Sequence, residues 1–487
     1  MLYIGVDLGT SSVKLLLVGE DGKTAKTISK DYPLEFPQNG WSQQNPEDWW
    51  DRTVEGLKEL TADIDPSEIG GIGCGGQMHG LVVLDKDDNV VRPCILWNDG
   101  RTAEETDYLN TVIGKEKLSG YTANIAFAGF TAPKLLWMKR HEPENYAKIA
   151  KIMLPKDYIN YKLTGVHCSD YSDASGTLLL DVEHKCWSKE MCEICDVQES
   201  WLPKLYESYD AVGRVCNPEV PFLNGITVAA GAGDNAAAAI GTNTLSDDTC
   251  NISLGTSGTI FIANDTFCVD PANALHSFAH ASGRYHLMGC ILSAASCNKW
   301  FLEDILKRND YAGILRDLPE ELLGANSVYY LPYLMGERSP LNDPDARSCF
   351  IGMNMATTPA EMDLAVLEGV AFAIRDCLEA ADSEQIQITS STLCGGGAKS
   401  HIWRRIIANV LNIRIDIPET EEGPGYGGAL LAMTAHKKFT SIEECASAFC
   451  RIRESVEPEP ELAERYEKKY QTFRQIYPAL KNIFKQL

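Results

Sequence analysis

Apolar residues in this chain fall into short runs that are repeatedly broken by glycine and small polar residues. This pattern is typical of buried strands joined by tight turns. Residues 1–18 read MLYIGVDLGTSSVKLLLV, two apolar runs separated by glycine, threonine and serine. Residues 251–264 read NISLGTSGTIFIAN and have the same arrangement. Each stretch therefore predicts a β-hairpin with a small-residue turn.

The two predicted hairpins are copies that lie about half a chain apart. Their Leu-Gly-Thr-Ser stretches, residues 8–11 and 254–257, are 246 positions apart in a chain of 487 residues. A single repeat at that distance indicates a duplicated domain rather than a solenoid. We therefore expect two related domains, residues 1–243 and residues 244–487.

Stretches with a helical period lie between and after the hairpins. Residues 46–60 follow a capping asparagine and begin with a proline, which favours a helix start. Residues 358–381 carry leucine, alanine and isoleucine on one helical face. Residues 458–487 predict a charged amphipathic helix, which we interpret as a solvated surface element. Strands and helices mixed in both halves favour an α/β fold.

The two hairpin turns are suited to binding phosphate. Gly9 and Thr10 in the first copy, and Gly255 and Thr256 in the second, lack bulky side chains, so backbone N–H groups can close on an anion. Threonine and serine hydroxyl groups, including that of Ser11, add donors. Lys14 on the first returning strand can reach a phosphate oxygen. An ordinary glycine-rich hairpin explains either copy alone. Two copies favour a polyphosphate held from both sides.

Asp7 precedes the first turn, whereas Ser253 holds the equivalent position before the second. A carboxylate beside a phosphate-binding loop repels phosphate unless a cation lies between them. Mg²⁺ prefers oxygen ligands and keeps several waters, so we expect it as that cation. Asp7 is therefore the candidate metal-binding residue and a candidate catalytic residue.

Asp234 is the candidate general base. Residues 228–240 read VAAGAGDNAAAAI, a small-residue strand, two glycines and an alanine-rich helix. A carboxylate at this strand-to-helix junction can project into a cleft without competing side chains. Because a helix N-terminus favours the ionised form, we expect Asp234 to be charged at neutral pH. A plain capping aspartate explains the same position, and the residues alone leave both interpretations open.

Two further stretches favour a small polar ligand. Met78 and His79 follow an apolar run in a glycine-flanked loop, where a ligand can approach the backbone; plain packing is the alternative. Trp97 is followed by an asparagine and an aspartate, and an aromatic face beside polar groups is a common way to hold a sugar. The alternative is a core tryptophan beside a helix cap.

The net charge of the chain makes some classes of binding partner unfavourable. The chain has a net charge of −24, which disfavours nucleic acid and anionic membrane surfaces as partners because both require a basic surface. Phosphate must therefore be held mainly by backbone N–H groups and a metal. No stretch is long and apolar enough to span a membrane, and Asp7 interrupts the N-terminal apolar run, so no signal peptide is predicted.

Cysteine usage predicts a reducing, cytoplasmic location. The chain has 16 cysteines and no targeting signal, which favours free thiols. Cys192 and Cys195 form a C-x-x-C pair, but no second pair stands at zinc-ligand spacing. Packed thiols are the simpler interpretation of this pair, and the sequence leaves a metal or redox role open.

Taken together, these motifs resemble the FGGY family of carbohydrate kinases, within the superfamily of sugar kinases, actin and Hsp70 ATPases. Residues 7–14 and 253–258 resemble the phosphate hairpins of the family, residues 395–400 its adenosine-binding stretch, and residues 425–432 its hinge helix. The resemblance implies two duplicated ribonuclease-H-like domains flanking a cleft. The first would bind the sugar and carry the catalytic aspartate, and the second would bind the nucleotide. It also implies ATP and Mg²⁺, with nucleotide contacts from Gly396, Gly397 and Ser400.

Seven further stretches resemble the subgroup of the family that phosphorylates D-xylulose. They are GQMHG (76–80), RPCILWNDGR (92–101), GFTAPKLLW (129–137), LPKDY (154–158), GDNAA (233–237), LSAASC (292–297) and LPYLMGERSP (331–340). The resemblance implies ATP-dependent formation of D-xylulose 5-phosphate in xylose catabolism. Asp234 would be the base, and Met78, His79, Trp97 and Asn235 would contact the sugar.

Several alternatives stay open at this point. Glycerol kinases resemble the same frame but carry Arg-Glu at the positions of Met78 and His79, so glycerol is disfavoured. A kinase for another ketopentose or polyol is one alternative, and an actin- or Hsp70-like ATPase that acts as a binding module is another. The expected partners are a small sugar and ATP. A homodimer is one expectation for an oligomeric state that the sequence does not define.

Overall fold

The chain folds into two compact units. The computed structural model describes residues 1–310, 318, 320–382, 386–420 and 422–487. Unit 1 contains Met1–Leu245, Ser277–His286 and Glu422–Cys450, and unit 2 contains Ser246–His276, Leu287–Glu421 and Arg451–Leu487. The predicted domains are two continuous halves that meet at residues 243 and 244. The structure differs in that Ser277–His286 and Glu422–Cys450 return to unit 1.

The strands and helices of the described residues are numbered in chain order. The strands are β1 (Leu2–Leu8), β2 (Ser12–Gly19), β3 (Thr24–Asp31), β4 (Gln43–Gln44), β5 (Ile69–Gly76), β6 (Val82–Leu84), β7 (Cys94–Ile95), β8 (Lys151–Met153), β9 (Cys168–Asp170), β10 (Leu180–Asp181), β11 (Cys186–Trp187), β12 (Lys204–Tyr206), β13 (Ala211–Arg214), β14 (Thr227–Ala229), β15 (Ala232–Gly233), β16 (Thr249–Leu254), β17 (Gly258–Asn264), β18 (His276–Ala279), β19 (Tyr285–Ile291), β20 (Tyr329–Leu331), β21 (Cys349–Ile351), β22 (Ser390–Cys394), β23 (Arg414–Pro418) and β24 (Ile452–Val456). The α-helices are α1 (Pro46–Leu60), α2 (Ala103–Asp107), α3 (Lys115–Thr122), α4 (Thr131–His141), α5 (Pro143–Tyr146), α6 (Pro155–Thr164), α7 (Tyr171–Ala174), α8 (Lys189–Cys195), α9 (Asp234–Gly241), α10 (Ala295–Lys299), α11 (Pro359–Asp382), α12 (His401–Leu411), α13 (Gly423–Ala435), α14 (Ile442–Phe449) and α15 (Pro460–Phe484).

The main sheet of unit 1 is built around the first predicted hairpin. Its strands run in the order β13-β14-β5-β1-β2-β3, and β15 also pairs with β5. β1 and β2 are antiparallel from Leu2 opposite Gly19 to Leu8 opposite Val13, which confirms the hairpin. β5 is parallel to β1, and both β14 and β15 are parallel to β5. The carboxyl ends of β1, β5 and β15 therefore lie at one edge of the sheet.

The main sheet of unit 2 repeats this plan around the second predicted hairpin. Its strands β19-β17-β16-β22-β23-β24 lie in that order. β16 and β17 are antiparallel, ending with Leu254 opposite Gly258, and β22 is parallel to β16. An antiparallel hairpin beside a parallel strand is thus present in both sheets. The α/β class and the duplication expected from the repeat are confirmed.

Helix α13 lies against the sheet of unit 1 at backbone contact distance. A Cβ added at Gly5 would lie 1.9 Å from the carbonyl oxygen of Gly425, and one at Gly73 would lie 2.1 Å from that of Gly428. Only glycine permits such close approach of helix and strand. The small residues of this helix therefore serve its close packing against the strands.

Two predicted helices compare differently with the structure. α1 begins after Asn45, whose side chain accepts a hydrogen bond from the Glu47 N–H, as predicted. The predicted helix at the C-terminus exists as α15, but it is not merely a solvated element. Its buried face, which includes Leu462, Tyr466 and Phe473, belongs to the hydrophobic core of unit 2. Because α15 also has many charged residues, the sequence did not indicate that this face is buried.

Candidate active site

The turn between β1 and β2 is held in one conformation by protein donors. The Gly9 N–H donates to the carbonyl oxygen of Ser12 over 3.0 Å. The Tyr32 hydroxyl donates to the carbonyl oxygen of Gly9, and Gln44 Nε2 donates to that of Thr10 over 2.7 Å. The turn is therefore preorganised without a ligand, as an anion-binding loop requires.

Ser11 lies in this turn, and Lys14 lies on the strand β2 that follows it. Ser11 is exposed at the turn. Lys14 Nζ forms a 3.1 Å ion pair with Glu422, and 41% of its side chain is exposed. The contact of either residue with phosphate stays a prediction, and the exposed ion pair of Lys14 is weak enough to exchange for a phosphate oxygen.

Asp7 lies near the end of β1, between Lys14 on one neighbouring strand and Gly75 on the other. Burial raises the pKa of its carboxyl to about 6; the charge of Lys14 opposes this rise and that of Glu422 adds to it. A cation beside Asp7 would stabilise the ionised form, so the residue fits a Mg²⁺ site.

The donors around Asp7 limit what the protein itself can supply to such an ion. Among the described residues, no group of three or more His, Cys, Asp or Glu side chains could hold a metal. Mg²⁺ is often bound through one or two carboxylates, with phosphate and water oxygens completing its shell. Asp7 matches this mode of binding rather than an all-protein site.

Asp234 is the first residue of α9, directly after β15. β15 pairs with β5 through Ala232 opposite Gly75 and Gly233 opposite Gly76. The Oδ1 atom of Asp234 accepts hydrogen bonds from the N–H of Asn235 at 2.7 Å and from its Nδ2 at 2.9 Å. The N-cap of α9 is Gly233, so the interpretation of Asp234 as a plain N-cap is wrong.

The charge state expected for Asp234 needs correction. The helix N-terminus predicts an ionised carboxylate, yet the pKa of Asp234 is raised to about 7. Burial is the main cause, and the charge of Asp7 adds to it, while the hydrogen bonds from Asn235 act in the opposite direction. Desolvation destabilises the ionised carboxylate, and here this effect is larger than the stabilisation that the helix N-terminus supplies.

Met78 and His79 follow β5 at the same edge of the sheet. Met78 is buried, and a Cβ added at Gly233 would lie 2.9 Å from its Cγ atom, so it packs directly before Asp234. The Nδ1 atom of His79 donates to the carbonyl oxygen of Gly176 over 2.7 Å. The predicted sugar-binding pair and the predicted base therefore lie next to one another.

Trp97 is exposed over 38% of its surface, so the alternative of a core tryptophan is wrong. Its indole Nε1 donates to the Thr10 hydroxyl over 3.0 Å. The ring therefore lies beside the first phosphate-binding turn, which places a predicted sugar contact next to a predicted nucleotide contact.

The sequence analysis missed a buried polar chain behind Asp234. The N–H of Gly233 donates to Ser172 Oγ at 3.2 Å, and this hydroxyl donates to Asp170 Oδ2 at 2.5 Å. Lys156, fully buried, forms a 2.8 Å ion pair with Asp170. The start of α9 is thus anchored to a buried ion cluster. Charged residues in the LPKDY and SDYSD stretches were its only signal in the sequence.

Unit 2 contains a separate cavity of about 730 Å³. Five predicted nucleotide contacts line it, together with two lysines, a buried tryptophan and smaller neighbours. The lining residues are Leu254, Gly255, Thr256, Ala295, Ser296, Asn298, Lys299, Gly396, Gly397, Lys399, Ser400 and Trp403. The structure thus brings together the second hairpin turn and the triple-glycine stretch.

Local hydrogen bonds shape this cavity. The carbonyl oxygen of Thr256 accepts from the Ala294 N–H at 2.9 Å and from Ser296 Oγ at 2.7 Å. Ser400 caps α12 by accepting from the Trp403 N–H at 3.3 Å. No heavy atom lies within 4 Å of a Cβ added at Gly396, so bare backbone faces open space there. A flat ring and an anion fit such a cavity.

The remaining sequence expectations concern cysteines and the membrane. Burial and neighbouring carboxylates raise the pKa of Cys192 to about 11, so this thiol is protonated at neutral pH. Cys195 is buried, and burial raises its pKa as well. Neither thiol has the low pKa of a reactive cysteine. Within the described ranges, every helix is too short or too polar to cross a membrane.

Comparison with known proteins gives matches over nearly the whole chain. Residues 2–241 match the N-terminal domain of the FGGY family of carbohydrate kinases, and residues 250–436 match its C-terminal domain. The chain is 38% identical to the xylulose kinase of Escherichia coli strain K12 over 484 residues, covering 98% of this chain and 99% of that protein. It is 37% identical to the xylulose kinase of Bacillus subtilis strain 168 over 487 residues, covering 99% and 97%.

Solved structures agree with this similarity. A xyloylose kinase from Brucella ovis is 40% identical, with a TM-score of 0.94 over 99% of this chain and 100% of that chain. A ligand-bound xylulose kinase from Lactobacillus acidophilus is 26% identical, with a TM-score of 0.94 over 100% and 99%. The glycerol kinase of Plasmodium falciparum, 20% identical with a TM-score of 0.90 over 98% of both chains, shares the fold.

Proposed function

Because this chain belongs to the FGGY family of carbohydrate kinases, we propose that it transfers the terminal phosphoryl group of ATP to the 5-hydroxyl of D-xylulose. The products are ADP and D-xylulose 5-phosphate, in the catabolism of xylose. The similarity to xylulose kinases over nearly the full length of both chains supports this choice of sugar.

One structural observation carries the proposal. Asp7 lies near the carboxyl end of β1, and Met78 and Asp234 follow the adjacent parallel strands β5 and β15 at the same edge of one sheet. Ligands of open α/β sheets bind beyond the carboxyl ends of parallel strands. One edge of the sheet therefore carries three groups. They are Asp7, which can hold a cation, the β1–β2 turn, which can bind phosphate, and Asp234, which can accept a hydroxyl proton.

In the proposed mechanism, Asp234 orients the 5-hydroxyl and accepts its proton. The hydroxyl oxygen forms a bond to the γ-phosphorus of ATP, while the bond from that phosphorus to the β,γ-bridging oxygen breaks and ADP leaves. In a loose transition state little proton transfer is needed early, so a carboxylate is basic enough. A pKa of about 7 for Asp234 is also close to the working pH, which favours general-base catalysis.

The other proposed site residues bind and orient the sugar, the nucleotide and the metal ion. Met78, His79, Trp97 and Asn235 hold the sugar. Thr10, Ser11 and Lys14 contact phosphate, and Gly255, Thr256, Gly396, Gly397 and Ser400 bind the nucleotide. Mg²⁺, when bound, would neutralise charge on the phosphate oxygens, and Asp7 is the residue that would hold it, directly or through water.

Location and assembly follow as finer proposals. None of the described cysteines forms a disulfide, which supports a cytoplasmic enzyme. A homodimer is the proposed assembly. Light scattering of the purified protein distinguishes a dimer from a monomer.

A panel of ketoses and polyols with ADP formation as the readout tests the function. We expect D-xylulose to give the highest kcat/KM, with D-ribulose and glycerol lower by about tenfold or more. A higher kcat/KM for another sugar would reassign the substrate within the family. ATP hydrolysis that no sugar stimulates would instead favour an ATPase binding module of the actin and Hsp70 type.

A further inference from the structure

We propose that Thr131 and Lys134 are positioning residues that fix the backbone of His79 and thereby set the affinity of the site for the sugar. Neither residue belongs to the set of side chains that contacts substrate. The proposal rests on the proposed function, because it takes His79 as a sugar-binding residue.

The backbone of His79 has an unusual conformation. Its φ angle is +69°, in the left-handed region that residues other than glycine rarely adopt. The N–H of Gly80 donates to the Met78 carbonyl oxygen over 2.9 Å, so the chain turns tightly around His79. Such a conformation persists only where surrounding contacts hold it, and it is common at ligand-binding sites.

The contacts that hold it converge on one atom, the carbonyl oxygen of His79. Thr131 Oγ1 donates to this oxygen at 3.0 Å, and Lys134 Nζ donates to it at 2.8 Å. Lys134 Nζ also donates to the carbonyl oxygen of Gly129 at 2.7 Å. The two donors belong to the first turn of α4, so the helix start and the His79 turn are joined directly.

Burying the Lys134 ammonium at this position has an unfavourable desolvation free energy. Its side chain is fully buried, and in the part of the chain that the structure describes no carboxylate lies within ion-pair distance of it. Burial lowers its pKa to about 7; the thiol of Cys94 and the charge of Asp99 oppose this shift, and Arg101 adds to it. An apolar side chain would pack there without this cost, so the bonds to the two carbonyl groups account for the lysine.

The ring of His79 is fixed from the same helix start. Phe130, the residue before Thr131, stacks on the imidazole with ring centroids 4.6 Å apart and planes 20° apart. Since Nδ1 donates to the Gly176 carbonyl oxygen, Nε2 is the acceptor nitrogen of the neutral ring. An acceptor held in this way suits a sugar hydroxyl, and its direction depends on the backbone that Thr131 and Lys134 hold.

Two variants of the full-length protein test the proposal. Thr131→Val removes one donor without changing the shape of the side chain, and Lys134→Met removes the other. Lys139→Met is the matched control, because Lys139 lies on the same helix but is exposed and pairs with Asp196 over 2.7 Å. The measurements are KM for D-xylulose, KM for ATP, kcat, and hydrogen–deuterium exchange of residues 77–81.

We expect KM for D-xylulose to rise about three- to tenfold in Thr131→Val and about tenfold or more in Lys134→Met. The kcat value and KM for ATP should change little, because the lost contacts fix only the sugar side. Exchange at residues 77–81 should accelerate in both variants and stay unchanged in Lys139→Met.

Two outcomes would overturn the proposal. One is a folded Thr131→Val protein with unchanged KM and unchanged exchange. The other is a parallel loss of kcat and of both affinities together with a lower melting temperature, which indicates a general structural role. If Lys134→Met does not fold, Thr131→Val decides alone. If the wild-type protein phosphorylates no sugar, the proposed function fails, while the exchange measurement still decides whether these residues hold His79.

Discussion

The indole N–H of Trp97 donates a 3.0 Å hydrogen bond to the hydroxyl of Thr10. This bond joins two residues that are 87 positions apart in the sequence. One is a predicted sugar contact, and the other belongs to the turn predicted to bind phosphate. The bond therefore links the predicted sugar contact directly to the turn that is predicted to bind phosphate.

We expect Trp97→Phe and Thr10→Val each to lower kcat/KM for D-xylulose, because each removes the same bond. The double variant should lose little more than the larger single effect. A double-mutant cycle on kcat/KM should give a coupling energy of about 1 kcal/mol between the two residues. Strictly additive losses would show that the bond does not couple them.

Asp234→Asn should lower kcat by about three orders of magnitude while ATP still binds, because an amide cannot accept the proton. In the wild-type protein, kcat/KM should rise with pH through about 7, the pKa of Asp234, since only the ionised carboxylate acts as a base. A pH–rate profile from pH 5 to 9 measures this. Near-wild-type turnover of Asp234→Asn would rule out Asp234 as the base.

Asp7→Asn should raise the Mg²⁺ concentration needed for half-maximal velocity by about tenfold or more, because it removes the protein carboxylate at the proposed site. It should also shift the rise of kcat/KM to lower pH, since the charge of Asp7 raises the pKa of Asp234. Asp31→Asn on the exposed strand β3 is the control. An unchanged Mg²⁺ requirement would remove Asp7 from the metal site.

Gly396→Val should raise KM for ATP by about tenfold or more without lowering the melting temperature. A Cβ at this position meets no heavy atom within 4 Å, so the fold tolerates it, but it occupies the cavity of unit 2. Gly120→Val, on helix α3 and also without neighbours within 4 Å, is the control. Unchanged ATP affinity would argue against nucleotide binding in this cavity.

Gly427→Ala should destabilise unit 1 by about 3 kcal/mol or more, because the new Cβ would lie 1.8 Å from the carbonyl oxygen of Ala237. Gly423→Ala in the same helix places its Cβ 3.6 Å from that of Ala238, an ordinary contact, and should change stability by less than about 1 kcal/mol. Urea unfolding of both variants tests the pair. Equal stability would mean that α13 moves away from α9 without cost.

Local features of the fold followed from the sequence because short-range chemistry determines them. The pairing of Asp7 with Lys14 across the first hairpin follows from the turn and the apolar runs on both sides of it. The start of α1 follows from its asparagine cap. The similarity of the two sheets followed from the repeated turn, since each turn fixes the register of its own hairpin.

Contacts between distant segments could not be inferred in this way. The Lys134 ammonium donates a hydrogen bond to the carbonyl oxygen of His79, 55 positions earlier in the chain. Residues 422–450 return to unit 1 because the glycines of α13 accept the backbone of β1 and β5. No local pattern in either partner specifies which surface it will meet.

The sequence by itself determined the residue types that we propose for the chemistry: two acids, small-residue turns and a Met-His pair. Only the tertiary structure decided the protonation state of the candidate base, Asp234. Asp234 has a pKa of about 7 because the fold buries it and places Asp7 nearby, and these effects exceed the helix dipole that the sequence reveals. Desolvation depends on every segment packed around a group, so it exists only once the chain has folded.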